Sequence, residues 1–260
     1  MLIDLEESSG LPVKVDTAAG EFVFGSSLNT PTILTRKVHD LDAVWANEVL
    51  EENRVIYCYT SGLWLPDDEE VWKNARVVYG IVFFLPGVFG GEYVKSSGQY
   101  HAVAPAQRMA TPEIYTVLVG CGHFMLQRSS PPYKEILDAA LVEVNVGETF
   151  VVPPDYGHLQ INPTNDPLIF SYTVAHPLVS NYEPYRQSRG AMYYEMAAGP
   201  ERYVFNSHYP SRLPLRIFQA EHLRQFPFLA GKADYRKIKA CLPQLSFLSR
   251  PEEFPAHAYL

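Results

Sequence analysis

Two glycine-punctuated segments concentrate residue types that bind metal ions. The first, 98–120, holds His101 and then Glu113 at the head of an apolar run that ends at Gly120. The second, 147–162, opens on a glycine turn, runs apolar to Pro153-Pro154, turns at Gly157 and resumes at His158. Both histidines stand at the edge of a strand, a position that aims an imidazole into the mouth of a barrel. Two neutral imidazoles and one carboxylate suit a divalent metal, iron(II) first, with Mn, Ni or Zn also accommodated, and leave coordination positions open for a substrate. A lone histidine beside a glycine turn is ordinarily a hydrogen-bonded structural residue. The matched placement in two successive strand pairs gives His101, Glu113 and His158 their chemical reading. His123, just after Gly122, is read as structural, and His39, His176, His208, His222 and His257 fall in no such pattern.

The elements that must position these groups are strands. Runs rich in Val, Ile, Phe and Tyr recur at 54–59, 76–85, 92–95, 115–119, 123–127, 140–144, 149–152, 159–161 and 168–174, divided by Gly, Pro and Asp. Many short strands with turn chemistry between them predict an all-β sandwich or barrel. Turns are expected at 138–140 and at 145–147. Before the strands, 40–52 predicts one helix, with Asp40 as N-cap and Leu41, Val44, Trp45 and Val49 at helical spacing. After them, 176–210 reads as an irregular stretch packed over the barrel. From about Leu215 the chain is expected to be helical again, with 233–242 amphipathic and ending at Pro243. The expected organisation is an N-terminal extension (1–53), a barrel (54–210) and a basic helical tail (211–260).

Composition narrows the function classes. With 47% apolar and 19% charged residues the chain can bury a large core, which excludes global disorder. A net charge of −8 argues against nucleic acid as a partner. Three scattered cysteines make neither a disulfide framework nor a thiolate zinc site. The longest apolar run, 77–91, is broken by Gly80, Pro86 and Gly87, so no membrane span is expected. An acidic start, without the basic region of a secretory signal, leads us to expect a cytoplasmic protein. The tail carries eight lysines and arginines against four acids, whereas the preceding residues are acidic. It is expected to fold onto the acidic body or onto a second subunit.

The two metal-binding segments resemble the two cupin motifs. Glu113 is followed seven residues on by Gly120, and Gly147, Pro153, Gly157-His158 and Asn162 follow the second motif. The likeness is narrower still. The run Glu92-Tyr93-Val94-Lys95-Ser96-Ser97-Gly98-Gln99-Tyr100-His101 is similar to that of the cupin-type (archaeal-type) glucose-6-phosphate isomerases, which ends Gly-His-Tyr-His. Residues 54–59, 112–115 and 150–162 resemble that family too, and the likeness spans roughly 35 to 205. It implies a double-stranded β-helix barrel, a homodimer, and a divalent metal held by His101, Glu113, His158 and a fourth ligand. It further implies phosphate contacts at Ser96 and Gly98, and sugar contacts at Tyr115 and Tyr182.

The chain departs from the family at three places. Gln99 stands where the family has its first histidine, and an amide oxygen is a weaker ligand than imidazole. The spacer between His101 and Glu113 is longer than the family's. Val82, Phe83 and Phe84 offer no hydroxyl where the isomerases place one for the phosphate, and read as barrel core. The leading expectation is a metal-dependent aldose–ketose isomerase of a phosphorylated sugar, with Glu113 as the base if the path is an enediol. The rival is a non-heme Fe(II) cupin oxygenase using His101, Glu113 and His158 as a facial triad, with Gln99 freeing a position for O2. A non-catalytic sugar-binding cupin is the third class.

Overall fold

The computed structural model describes residues 1–50, 53–104, 107–129, 131–133, 135–223 and 225–260. A small antiparallel sheet comes first, made of β1 (Leu2–Asp4), β2 (Val13–Asp16) and β3 (Glu21–Phe24), with the one-turn helix α1 (Glu6–Ser9) between its first two strands. The strands that follow are β4 (Thr32–Lys37), β5 (Val55–Ser61), β6 (Val77–Phe84), β7 (Val88–Phe89), β8 (Glu92–Tyr93), β9 (Tyr100–His101), β10 (Glu113–Val119), β11 (Cys121–Ser129), β12 (Ile136–Asn145), β13 (Thr149–Val152), β14 (Tyr156–Ile161), β15 (Leu168–Ala175), β16 (Ser180–Asn181), β17 (Tyr193–Glu195), β18 (Tyr203–Phe205) and β19 (Leu215–Gln219). The helices are α2 (Glu69–Ala75), α3 (Glu183–Gln187) and α4 (Tyr235–Cys241).

Two sheets make the cupin barrel. One has the order β13-β10-β15-β6-β5-β4, the other β14-β11-β12-β19. Side chains alternate across a strand, and β10 shows how that builds the molecule. Tyr115 and Val117 face inward with Phe84, Phe124, Phe150 and Phe170. Ile114 and Leu118 face outward, where Tyr79, Ile81, Phe83, Tyr235 and Ile238 pack with them. The six-stranded sheet is therefore covered on both faces, which is why β6 reads as a nearly unbroken apolar run.

The tail supplies much of the outer cover. Asp234 caps α4, accepting from the Lys237 amide at 3.0 Å, and the helix buries Tyr235, Ile238 and Cys241. The Tyr235 hydroxyl donates to Asp68 at 2.8 Å and accepts from the Trp72 indole at 2.8 Å, while Lys239 pairs with Asp68 at 2.7 Å. The basic tail thus sits on the acidic body.

Four local expectations are corrected. No helix forms over 40–50, and residues 51 and 52 lie outside the described set. Asp40 closes a capping box backward onto the Lys37 amide, around a single 3-10 turn at Val38–Leu41. The Val44 carbonyl then accepts from Lys95 at 2.8 Å, and the Ala46 amide donates to Glu92 at 2.6 Å. These polar groups are committed to the buried Glu92–Lys95 pair instead of to a helix. Residues 138–140 lie inside β12, where Asp138 is matched by Arg216 and by Tyr156 at 2.6 Å, so its charge needs no turn. The chain from Leu215 begins with a strand, β19, pairing parallel to β12, before any helix. The pairing of β4 and β19 also carries the barrel's sheets beyond both ends of the expected 54–210 span. The turn at 145–147 forms as expected, with Gly147 at a φ of 83°. Among the described residues no helix is long and apolar enough to cross a membrane.

Candidate metal centre and cavity

The two motifs meet because the segment before His101 is zipped to the strand that carries His158. The Gln99 amide donates to the His158 carbonyl at 3.0 Å, and the His158 amide donates back at 2.9 Å. Ser96 bonds Gln160 in the same way, its amide donating at 2.9 Å and its hydroxyl accepting from the Gln160 amide at 3.1 Å. Gly98 makes the bend between them possible. Its φ is 77°, and a Cβ there would lie 2.5 Å from the Tyr185 ring. Glu113 arrives at the end of β10, and His101 is fixed by pairing with Ser180.

His101, Glu113 and His158 come together, with one donor atom from each lying within 4.8 Å of the others, and all three are buried. The His101 and His158 Nε2 atoms each lie 3.1 Å from Glu113 Oε2. The other ring nitrogens settle the tautomers. His101 Nδ1 donates to the Thr111 carbonyl at 2.7 Å, and His158 Nδ1 has the Tyr156 carbonyl at 3.4 Å. A carbonyl can only accept, so in the neutral imidazoles both Nε2 atoms present lone pairs to a carboxylate. His101 Nε2 and Glu113 Oε2 are buried without a hydrogen-bond partner. Such a group can take up a cation at its centre. Two ligand atoms each about 2.1 Å from one ion, at right angles, stand about 3.0 Å apart, which matches the observed spacing. The residues present therefore fit a divalent metal. Burial works to raise the Glu113 pKa, and only imidazoles protonated at these same distances would outweigh it and hold the carboxyl at about 2.

Beside this cluster lies a cavity of about 170 Å³. Each of the remaining expected site residues lines it: Ser96, Gly98, Gln99, Tyr115 and Tyr182. The Gln99 side-chain nitrogen is 3.3 Å from His158 Nε2, which places the amide at the cluster's edge. Tyr115 packs edge-on against the His158 ring and accepts from the Gln160 amide at 2.8 Å. Burial, and then the Glu113 carboxylate, push its phenol well above the usual range, so Tyr115 is a neutral hydroxyl. Val82 and Phe84, read as barrel core, are buried there and also form an apolar wall of the cavity with Phe170, whereas Phe83 faces outward.

Several lining residues were missed from sequence. Gln160 lies two positions after His158 on one strand, and Tyr172 is paired across from Tyr115, so period-2 alternation carried the signal for both. Tyr57 and Tyr59 alternate on β5 in the same manner.

With this geometry in place, the likeness to known proteins becomes specific. The model of the glucose-6-phosphate isomerase (GPI) family matches residues 35–212. Glucose-6-phosphate isomerase of Thermococcus onnurineus (strain NA1) is 26% identical over 166 residues, which are 64% of this chain and 78% of that protein. The protein of the same name from Pyrococcus furiosus is 25% identical over 61% of this chain and 75% of its own length. Among solved structures, vicilin from Capsicum annuum overlaps 53% of this chain and 33% of its own, at 15% identity and a TM-score of 0.36. The match over more than half of the sequence takes in every residue of the His–Glu–His cluster and the cavity lining, and by it this chain belongs to the glucose-6-phosphate isomerase family, as a diverged cupin-type member.

Proposed function

We propose that the chain is a metal-dependent aldose–ketose isomerase acting on a phosphorylated sugar of the glucose-6-phosphate and fructose-6-phosphate type. The observation that carries this reading is the convergence of two imidazole lone pairs and one buried carboxylate beside a cavity lined with phenols, hydroxyls and amides. When held by His101, Glu113 and His158, a divalent ion supplies Lewis-acid polarisation of the sugar's carbonyl.

The chain's own residues then divide the work. Gln99, whose side-chain nitrogen faces His158 Nε2 at 3.3 Å, would turn its amide over to offer the oxygen as a fourth donor. Glu113, ionised, takes the proton from C2 of the open-chain aldose, the C–H electrons forming the C1–C2 double bond of an enediol. The carbonyl oxygen on C1 gains a proton and the C2 hydroxyl loses one, exchanges served by the Tyr115 hydroxyl that Gln160 holds in place. Glu113 returns its proton to C1, which leaves the ketose with no net change in hydrogen or electrons. Val82, Phe84 and Phe170 exclude water from one side of the cavity. Ser96 and the Gly98 backbone, with Tyr182, bind the substrate's polar groups.

The test is incubation with glucose-6-phosphate in deuterated, oxygen-free buffer, followed by NMR. Fructose-6-phosphate carrying solvent deuterium at C1 is the expected product. Absence of turnover with any divalent metal, together with substrate-dependent O2 uptake in air, would overturn the proposal in favour of an oxygenase.

A further inference from the structure

The cavity as lined lacks a partner for the anionic end of its substrate. Among the described residues lining it there is no lysine or arginine, and Glu113 is the one charged group. A phosphate dianion entering beside a buried carboxylate needs a fixed cation of its own.

Arg36 stands where one would serve. It lies on β4, the edge strand of the six-stranded sheet, and is paired with Tyr57, so the two side chains share a face. Its Nη2 donates to the Tyr59 hydroxyl at 3.4 Å, and its guanidinium carbon is 5.7 Å from the Tyr59 ring centre. Nη1 donates to the Thr35 carbonyl at 3.2 Å. Half-burial works against its charge, yet the phenols of Tyr59, Tyr57 and Tyr182, with the Asp40 carboxylate, keep its pKa above the usual value. All three tyrosines line the cavity. The Asp40 oxygens are engaged by other groups, one accepting from the Lys37 amide at 2.8 Å and the other facing His39 at 3.4 Å.

The placement also fits the length of a substrate. β4 is four strand positions from β10 in the sheet order, roughly 19 Å between backbones at about 4.8 Å a strand. The long arginine stem at one end and the Glu113 side chain at the other shorten that span toward the length of an extended sugar phosphate. The cavity bridges the same interval, from Tyr57 and Tyr59 to Glu113.

We propose that Arg36 is the specificity-determining cation of this cavity, its guanidinium binding the phosphoryl oxygens of the substrate at the end away from His101, Glu113 and His158. The planar fork of donors suits two phosphoryl oxygens at once. The inference rests on the isomerase reading for its substrate, but phosphate binding can be read without turnover.

The experiment uses the full-length, metal-loaded protein as wild type, Arg36→Gln and Arg36→Lys. Inorganic phosphate is titrated by calorimetry, and KM and kcat are measured for glucose-6-phosphate. Loss of a charge-assisted hydrogen-bonding partner weakens binding roughly 10- to 100-fold. Arg36→Gln should show that loss both in phosphate affinity and as a raised KM, with kcat within about threefold of wild type. Arg36→Lys should recover part of the affinity, keeping the charge without the fork. A residue that merely supports the β4 edge would instead lower kcat and thermal stability, and lysine would not rescue phosphate binding. Wild-type phosphate affinity in Arg36→Gln, equal loss in the glutamine and lysine variants, or no phosphate binding by the wild type would each overturn the proposal. Should Arg36→Gln fail to fold, weakened phosphate binding in Arg36→Lys supports the proposal and unchanged binding overturns it. A wild type that binds phosphate through Arg36 but does not interconvert the sugars would sink the isomerase reading alone.

Discussion

Two buried glutamates have histidine nitrogens about 3 Å away, and they are set in opposite surroundings. Glu195 accepts from His123 Nδ1 at 2.9 and 3.0 Å and from Arg202 Nε at 2.9 Å, so its charge is met by donors within the fold. Glu113 also has nitrogens at 3.1 Å, but they belong to imidazoles whose donor protons are turned away, toward the Thr111 and Tyr156 carbonyls. One cluster is complete as built. The other has acceptors facing one another and borders a cavity. The residue types are nearly the same, so what separates a self-contained pair from one open to a metal is where the second ring nitrogen points and whether the chain supplies its own cation.

Exchanging the glutamates for glutamine should split along that line. The largest effect is expected for Glu113→Gln, which removes both a proposed metal ligand and the proposed proton carrier. Bound metal should fall to a small fraction of wild type and kcat by about 10³-fold, with the fold retained. Metal analysis and turnover on the same sample read both. Glu195→Gln should behave in the reverse way. It leaves His123 and Arg202 facing a neutral amide, and unfolding should become easier by about 3–5 kcal/mol, while metal content and turnover per folded molecule stay near wild type. If Glu195→Gln lost metal while remaining folded, the division between the clusters would fail.

A smaller effect comes through pH. Burial works against the charged form of His123, but Cys121 and Glu195 outweigh it and raise its pKa to about 9, above the unfolded value of 6.5. Its stabilisation is therefore fully present below pH 6.5 and disappears as pH rises through 9. In denaturant titrations the advantage of wild type over His123→Gln, on the order of 1–3 kcal/mol, should shrink across that window. A constant difference from pH 6 to 10 would show that His123 is not held charged. The smallest change is expected from Gln99→His, which should tighten metal binding about tenfold, as read in competition with a chelator. Unchanged affinity would mean that the Gln99 side chain is not directed at the metal.

How much of this was legible in sequence follows from the range of the forces involved. Strands announced themselves by apolar runs between turn residues, and 149–152 appears with the bounds it was given. His101, Glu113 and His158 were readable because the glycines and prolines around them fix local geometry. The helix expected over 40–52 failed because its periodicity is real but serves another purpose. Val44 and Trp45 enter the core while the neighbouring backbone is taken by Glu92 and Lys95, about fifty residues away, a contact no local window contains. The same limit hid β19, whose partner β12 lies more than seventy residues earlier. Arg36 was unreadable for a different reason. An arginine in a polar edge strand is ordinarily solvated, and only the pairing with Tyr57 puts it on the face of a cavity-lining side chain.

The central claim is that one divalent ion at His101, Glu113 and His158 makes this chain an isomerase. The most direct measurement is to strip the protein with chelator and titrate back Mn2+ under argon, following glucose-6-phosphate turnover and free ion in the same samples. We expect no turnover without metal, a linear rise that breaks at one ion per chain, and no response in His158→Ala. Full turnover in metal-free protein, or full metal binding by His158→Ala, would contradict it.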